Sequence, residues 1–234
     1  REIQYSYAGM VFSGFMQGPG QLSLHDSGIL GIPCENCKNA CATGTGAIHE
    51  VHNDIAMGRY DVGLAFGMEK LSGRRGALPL GVEEDHEATM GMAMTGKYAM
   101  RAMRHIEQYG TTKEQLAQVV VKSRRNASKN PYAMFREPLT VEDVLKSRMI
   151  ADPITLYQCC PSNDGAAAAI LVSEEKAKDF ENPVKIETSI LISGDYGPPK
   201  PSKVGVEVYT SLIKADKVAY GAARLTPNDI DFAE

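Results

Sequence analysis

The 234-residue sequence has no apolar run approaching the ~20 residues that span a bilayer, so it is not read as a membrane-spanning chain. A dominant charge is missing too. Twenty-five Lys and Arg stand against 29 Asp and Glu, and the signs are interspersed. A net charge of −4 leaves no basic footprint for nucleic acid. Arg101, Arg104 and His105, then Lys122, Arg124 and Arg125, are local exceptions that read first as solvated helix faces, with a nucleotide-phosphate contact as the lesser alternative. Cysteine is scarce and odd in number. Five thiols do not make a secreted disulfide framework, and without a signal-peptide pattern the cytoplasm is the expected compartment.

Several catalytic signatures are also lacking. No G-x-S-x-G elbow supports a serine hydrolase, and no P-loop or G-x-G-x-x-G follows a strand. No tandem repeat is found. His25, His49, His52, His86 and His105 are scattered without assignable partners, so surface or satisfied core positions are their first reading.

What the chain does contain is Asn39-Ala40-Cys41-Ala42-Thr43-Gly44-Thr45-Gly46-Ala47-Ile48. Here a cysteine sits where an extended segment turns into a helix. A thiol at that junction faces unpaired backbone N–H groups and the positive end of the helix dipole, both of which favour thiolate. Ala42, Gly44 and Gly46 keep the approach open. This is the chemistry of a covalent acyl carrier. The same residues also suit a small, buried, inert cysteine, and local sequence does not choose between the two.

The surrounding pattern is α/β. Ala47, Ile48, Val51, Ile55 and Ala56 recur at helical spacing, and Gly58 supplies a stop. Asp61 to Gly67 reads as a short buried strand, which makes a parallel strand–helix–strand crossover. Between Ser72 and Asn163 the sequence turns helix-rich. Met90, Met94, Tyr98, Met100 and Met103 recur there at roughly helical spacing, as core filler or as a wall of an acyl pocket. Ala166 to Val172 returns to strand, and Ser173 caps a helix. Alternation predicts a strand over Lys185 to Ser193, a helix from about Lys203 to Gly221, and a strand at Ile230 to Phe232.

Cys34, Cys37 and Cys41 form C-x-x-C-x-x-x-C, which supplies three thiolates to a zinc or iron–sulfur site but not the fourth ligand. His49 and His52 lie on the helix that Cys41 opens, while strand alternation sends side chains around Cys34 and Cys37 to opposite faces. No metal is the reading taken. Cys159-Cys160 reads as reduced packing, and Asn163-Asp164-Gly165 as a turn fixed by side-chain-to-backbone bonds.

Asn39 to Gly44, followed by Gly67-Met68-Glu69-Lys70-Leu71, resembles the nucleophile region of thiolases of the sterol-carrier type. Asn130-Pro131-Tyr132, Asp152 to Leu156, Gln158 to Ala169 and Leu225 to Asp231 match the same branch in order. The resemblance implies a thiolase-like layered αβα fold with a mixed central sheet. It divides the chain into residues 1–72 of an N-terminal half, an inserted helical loop domain at 73–163, a return strand and helix at 164–182, and the start of a pseudo-repeated C-terminal half at 183–234. It further implies that the chain is an internal portion of a longer subunit.

By resemblance Cys41 is the nucleophile of an acyltransferase that cleaves or forms a 3-ketoacyl-CoA, with coenzyme A as substrate and no resident cofactor. His86, Met90 and Met94 lie where the loop domain approaches the acyl-CoA. The remaining family motifs, H-D-x-F or N-E-x-F, G-H-P and C-x-G, are expected beyond Glu234, so this portion alone should not turn over. A homodimer or dimer of dimers is implied, with Pro33 to Asn39 near the twofold axis. Two alternatives are a retro-aldolase of the same fold with a small zinc-binding OB-fold partner, and a non-catalytic lipid-binding or scaffold subunit.

Overall fold

A computed structural model describes residues 2–12, 18–72, 89–193 and 206–233. The chain forms two compact units, Arg1–Gly73 with Asn163–Gly197 and Glu207–Glu234, and Arg74–Ser162 with Pro198–Val206.

The first unit is built on a mixed four-stranded sheet. In chain order its elements are β1 (Tyr5–Gly9), α1 (Pro19–Asp26), β2 (Cys34–Cys37), α2 (Thr43–Ala56) and β3 (Val62–Lys70). The strand order is β2-β1-β3-β6, where β6, which returns after the second unit, is Asp164–Val172. β1 pairs parallel with both β2 and β3, and β6 closes the far side antiparallel. The two crossovers therefore run through helices, as parallel pairing requires.

Period-two alternation gives each face its own helix. Tyr5 and Ala65 turn toward α2, where Ala47 and Val51 are fully buried and Ile48, Ile55 and Leu171 pack around them. That is the apolar stripe read from the sequence, except that Ala56, the last residue of α2, is exposed. Ser6, Ala8 and Leu64 turn the other way, where α1 packs. A side chain at Gly20 would lie 2.4 Å from Ala8 Cβ and 2.8 Å from Cys34 Sγ, so only glycine lets α1 approach the sheet this closely.

The end of this unit differs from expectation. Residues 183–193 carry the alternation of a strand yet join no ladder, and Ile230 to Phe232 follow a 3₁₀ turn (Pro227–Asp229) without pairing. Alternation alone supplies no hydrogen-bond partner, and among the described residues no strand pairs with either segment. Instead Ile186 and Thr188 line a groove with Tyr220, Ala223, Leu225 and Ile230. Between them runs α7 (Val206–Ala223), close to the helix expected from the sequence; the short α6 (Glu174–Ala177) begins at Ser173, whose hydroxyl caps Lys176 N–H.

The second unit holds α3 (Met94–Tyr109), α4 (Lys113–Ala127), α5 (Val141–Lys146) and a small hairpin of β4 (Met149–Ala151) and β5 (Ile154–Thr155). Reciprocal capping boxes, Thr112 with Gln115 and Thr140 with Asp143, start α4 and α5. Its core centres on Ala117, Val144 and Thr155, and the Thr155 hydroxyl donates to Val144 O at 2.8 Å. The methionines are not core filler. Met90, Met94, Met100 and Met103 are all exposed, and within α3 only Ala99 is buried.

Candidate functional site

Cys41 lies at the edge of the first unit where the carboxyl ends of β1, β2 and β3 converge. In an α/β sheet this is the edge where connecting loops gather ligand-binding groups. The sequence places Cys41 directly at a strand–helix junction, but the structure inserts a 3₁₀ turn, Ala40–Ala42, and α2 starts only at Thr43. This changes the local donors. The N–H of Ala42 is taken by Asn39 O at 2.9 Å, and the N–H of Thr43 by Ala40 O. Cys41 is exposed, not buried.

Open space adjoins the turn. A Cβ added at Gly44 or Gly46 would meet nothing within 4 Å. On the sheet side a Cβ at Gly67 of β3 would lie 3.4 Å from Gly9 O and 3.9 Å from Gly44 Cα, an ordinary van der Waals contact.

Two carboxylates brace the same edge. Glu69, at the end of β3, accepts backbone N–H groups from the loop after β1. Asp164, at the start of β6, accepts the N–H groups of Leu71 and Ser72 at 2.8 Å each and the Ser72 hydroxyl at 2.7 Å. These bonds, the Ser72 hydroxyl first, hold the Asp164 carboxyl below its usual range. Asp164 thus fixes backbone, as expected, but it does so across more than ninety residues and not within a local turn.

The other cysteines part company with Cys41. Cys34 lies on the α1 face near Gly20, and Cys37 on the α2 face, with Sγ 3.5 Å from Ala8 O and 3.8 Å from Thr43 O. Burial pushes both thiols up, so both favour the protonated form. Thiols on opposite faces of one strand do not converge on a metal. Among the described residues no cluster of three or more His, Cys, Asp or Glu is arranged to hold an ion. Cys159 and Cys160 are free, the first half-buried and raised by burial, the second exposed.

His86 lies outside the described residues. Met90 stands in the turn before α3 and Met94 is the first residue of that helix, both with exposed side chains in the second unit. The sequence reading gave no role to Thr43 or Glu69. Thr43 carries a visible signal, since a threonine early in a helix commonly bonds back to the carbonyl three or four residues before it. Glu69 shows only as a member of the resembling segment Gly67 to Leu71.

The comparisons agree with this architecture. Residues 1–175 match the family model for the thiolase N-terminal domain, and the chain belongs to the thiolase family. A benzoylsuccinyl-CoA thiolase subunit of Thauera aromatica is 40% identical over 199 residues, covering 83% of this chain and 51% of that protein. An acetyl-CoA acetyltransferase of Methanothermobacter thermautotrophicus is 36% identical over 240 residues, covering 100% of this chain and 62% of that protein. Sterol carrier protein 2 of Gallus gallus is 32% identical over 254 residues, covering 99% and 46%. The chain thus spans about half to three fifths of the curated relatives it matches.

Among solved structures, an Ltp2-ChsH2(DUF35) aldolase superposes with a TM-score of 0.75 at 23% identity, covering 97% of this chain and 60% of the other. A monomeric SCP2-thiolase-like protein of Mycobacterium smegmatis gives 0.70 at 20% identity, covering 98% and 50%. At these identities the likeness speaks for the fold. Among the described residues no helix is long and apolar enough to cross a membrane.

Proposed function

We propose that the protein is an acyl-CoA C-acyltransferase of the thiolase type and that Cys41 carries the acyl group. The observation that carries this reading is the placement of Cys41. It is exposed on a tight turn at the carboxyl edge of the parallel strands, beside open space at Gly44 and Gly46.

In the cleavage direction the Cys41 thiolate adds to the 3-keto carbon of a 3-ketoacyl-CoA. The bond between C2 and C3 then breaks, and its electron pair leaves on C2 as a thioester enolate that takes up a proton. The acyl group stays on sulfur as a thioester. Coenzyme A, giving up its thiol proton, attacks that carbonyl and releases the shortened or transferred acyl-CoA, which restores the Cys41 thiolate. The two half-reactions imply ping-pong kinetics. Each developing oxyanion needs preorganised donors worth roughly 3–4 kcal/mol apiece, and the backbone N–H of Cys41 is proposed as one of them.

Met90 and Met94 extend the reading as acyl-CoA contacts, because their exposed, polarisable side chains suit an acyl chain or pantetheine arm. β2, outermost in the described sheet, supports a homodimer formed along the Pro33 to Asn39 segment. The odd set of free cysteines supports a reducing, cytoplasmic setting.

The test is alkylation of the full-length protein by iodoacetamide, read by peptide mass mapping. Labelling of Cys41 that acyl-CoA blocks is the expected result. If Cys41→Ala leaves activity toward CoA thioesters unchanged, the nucleophile reading fails and retro-aldol cleavage with an OB-fold partner takes its place. If no CoA thioester binds, the lipid-binding or scaffold alternative is what is left.

A further inference from the structure

We infer that Thr43 is the positioning residue that sets where the Cys41 thiol points. The inference rests on the reading of Cys41 as nucleophile and adds a second residue to it.

Thr43 is buried, with 5% of its surface exposed, and its hydroxyl is used at both ends. The oxygen accepts the backbone N–H of Asn39 at 2.8 Å, and the hydroxyl proton is donated to Ala40 O at 2.7 Å. These two bonds, with Ala42 N–H to Asn39 O at 2.9 Å, close a ring of backbone around Cys41.

The ring holds a conformation the chain does not adopt freely. Ala40, immediately before Cys41, has φ +44°, in the left-handed region that costs a residue with a Cβ on the order of 1–3 kcal/mol. Such a conformation persists only where its surroundings over-determine it. Here the surroundings are the Thr43 hydroxyl and the sheet beneath it. A Cβ on Gly9 would lie 2.8 Å from Thr43 Cγ2 and 3.0 Å from Thr43 O, so the end of β1 is pressed against this residue. The Cys37 Sγ of β2 lies 3.8 Å from the same carbonyl.

Thr43 is therefore anchored on two strands by its methyl group and carbonyl, while its hydroxyl grips the two residues before Cys41. The thiol sits between a strained residue and an anchored one, and its direction follows from both. Nothing in this arrangement brings the Thr43 side chain to the substrate; it acts through the backbone that carries sulfur.

Thr43→Val keeps the shape and the Gly9 contact but removes both hydroxyl bonds, whereas Thr43→Ser keeps the hydroxyl. The readout is the carboxamidomethylation rate of Cys41 as a function of pH in the full-length protein, with exposed Cys160 as internal standard and Tm recorded in parallel. In this reaction the S–C bond forms as the C–I bond breaks and iodide leaves, so the rate reports thiolate fraction and access together.

Thr43→Val is expected to slow Cys41 labelling about tenfold and to alter its pH profile, because small misplacements at a reacting atom are costly. Labelling of Cys160 should not change, and Thr43→Ser should stay within about twofold of the parent at Cys41. If Thr43→Val does not fold, Ala40→Gly in the same background relieves the left-handed strain. The double variant should then recover Tm without recovering the Cys41 rate. A Thr43→Val protein with lowered Tm but parental rate and pH profile at Cys41 overturns the inference and leaves Thr43 a packing residue. A parental Cys41 no more reactive than Cys160 overturns the nucleophile reading itself, and the inference with it.

Discussion

The Glu69 carboxylate accepts the backbone N–H of Val11 at 2.8 Å and of Phe12 at 3.0 Å, through the same oxygen. It thereby ties the exit of β1 to the end of β3, next to the turn that carries Cys41. Hydrogen bonds to a charged acceptor contribute about 1.5–3 kcal/mol net, and Glu69→Ala leaves two part-buried donors without this acceptor. A loss of about 2 kcal/mol in urea unfolding is expected. Glu69→Gln, whose amide oxygen still accepts both bonds, should cost under about 1 kcal/mol. An alanine variant as stable as the parent would show that the clamp is not holding the loop.

Tyr7 gives a pH dependence of definite sign. Its phenol is pushed up to about 12 by burial first and then by the negative charge of Asp54, to which its hydroxyl donates at 3.3 Å. Tyr5, stacked on Tyr60, moves the same way, again mainly through burial. A phenol raised in the folded state keeps its proton while the unfolded chain loses one near pH ~10. The stability it contributes is therefore complete below about pH 10 and is lost as pH rises toward about 12. Tm measured against pH should fall through that window, and Tyr7→Phe should flatten the fall. A parent whose Tm is level between those limits would contradict the assignment.

Legibility in the sequence followed the range of the interactions. The stripe Ala47, Ile48, Val51 and Ile55 was readable because helical spacing is local, and these residues pack as the pattern requires. The buried run from Asp61 marked β3, although the strand continues to Lys70, beyond the apolar residues. That extension comes from pairing with Asp164 to Ala167 of β6, which no local window contains. The same limit accounts for residues 183–193, where a strand-like pattern meets no neighbour and Val184 stands 92% exposed. At the site, the cysteine and its glycines announced themselves by type and spacing. Thr43 showed only as a threonine in the first turn of a helix, and Glu69 only as a member of the resembling segment Gly67 to Leu71; their roles lie in which backbone groups they reach, and for Glu69 those groups are 57 and 58 residues away.

The most direct measurement is the mass of the Cys41 peptide after brief exposure of the full-length protein to a 3-ketoacyl-CoA, followed by acid quench and proteolysis. An added acyl group on Cys41 is expected, and it should disappear when free coenzyme A is supplied before the quench. Turnover of that substrate with Cys41 never acylated at any time point would contradict the reading of Cys41 as nucleophile.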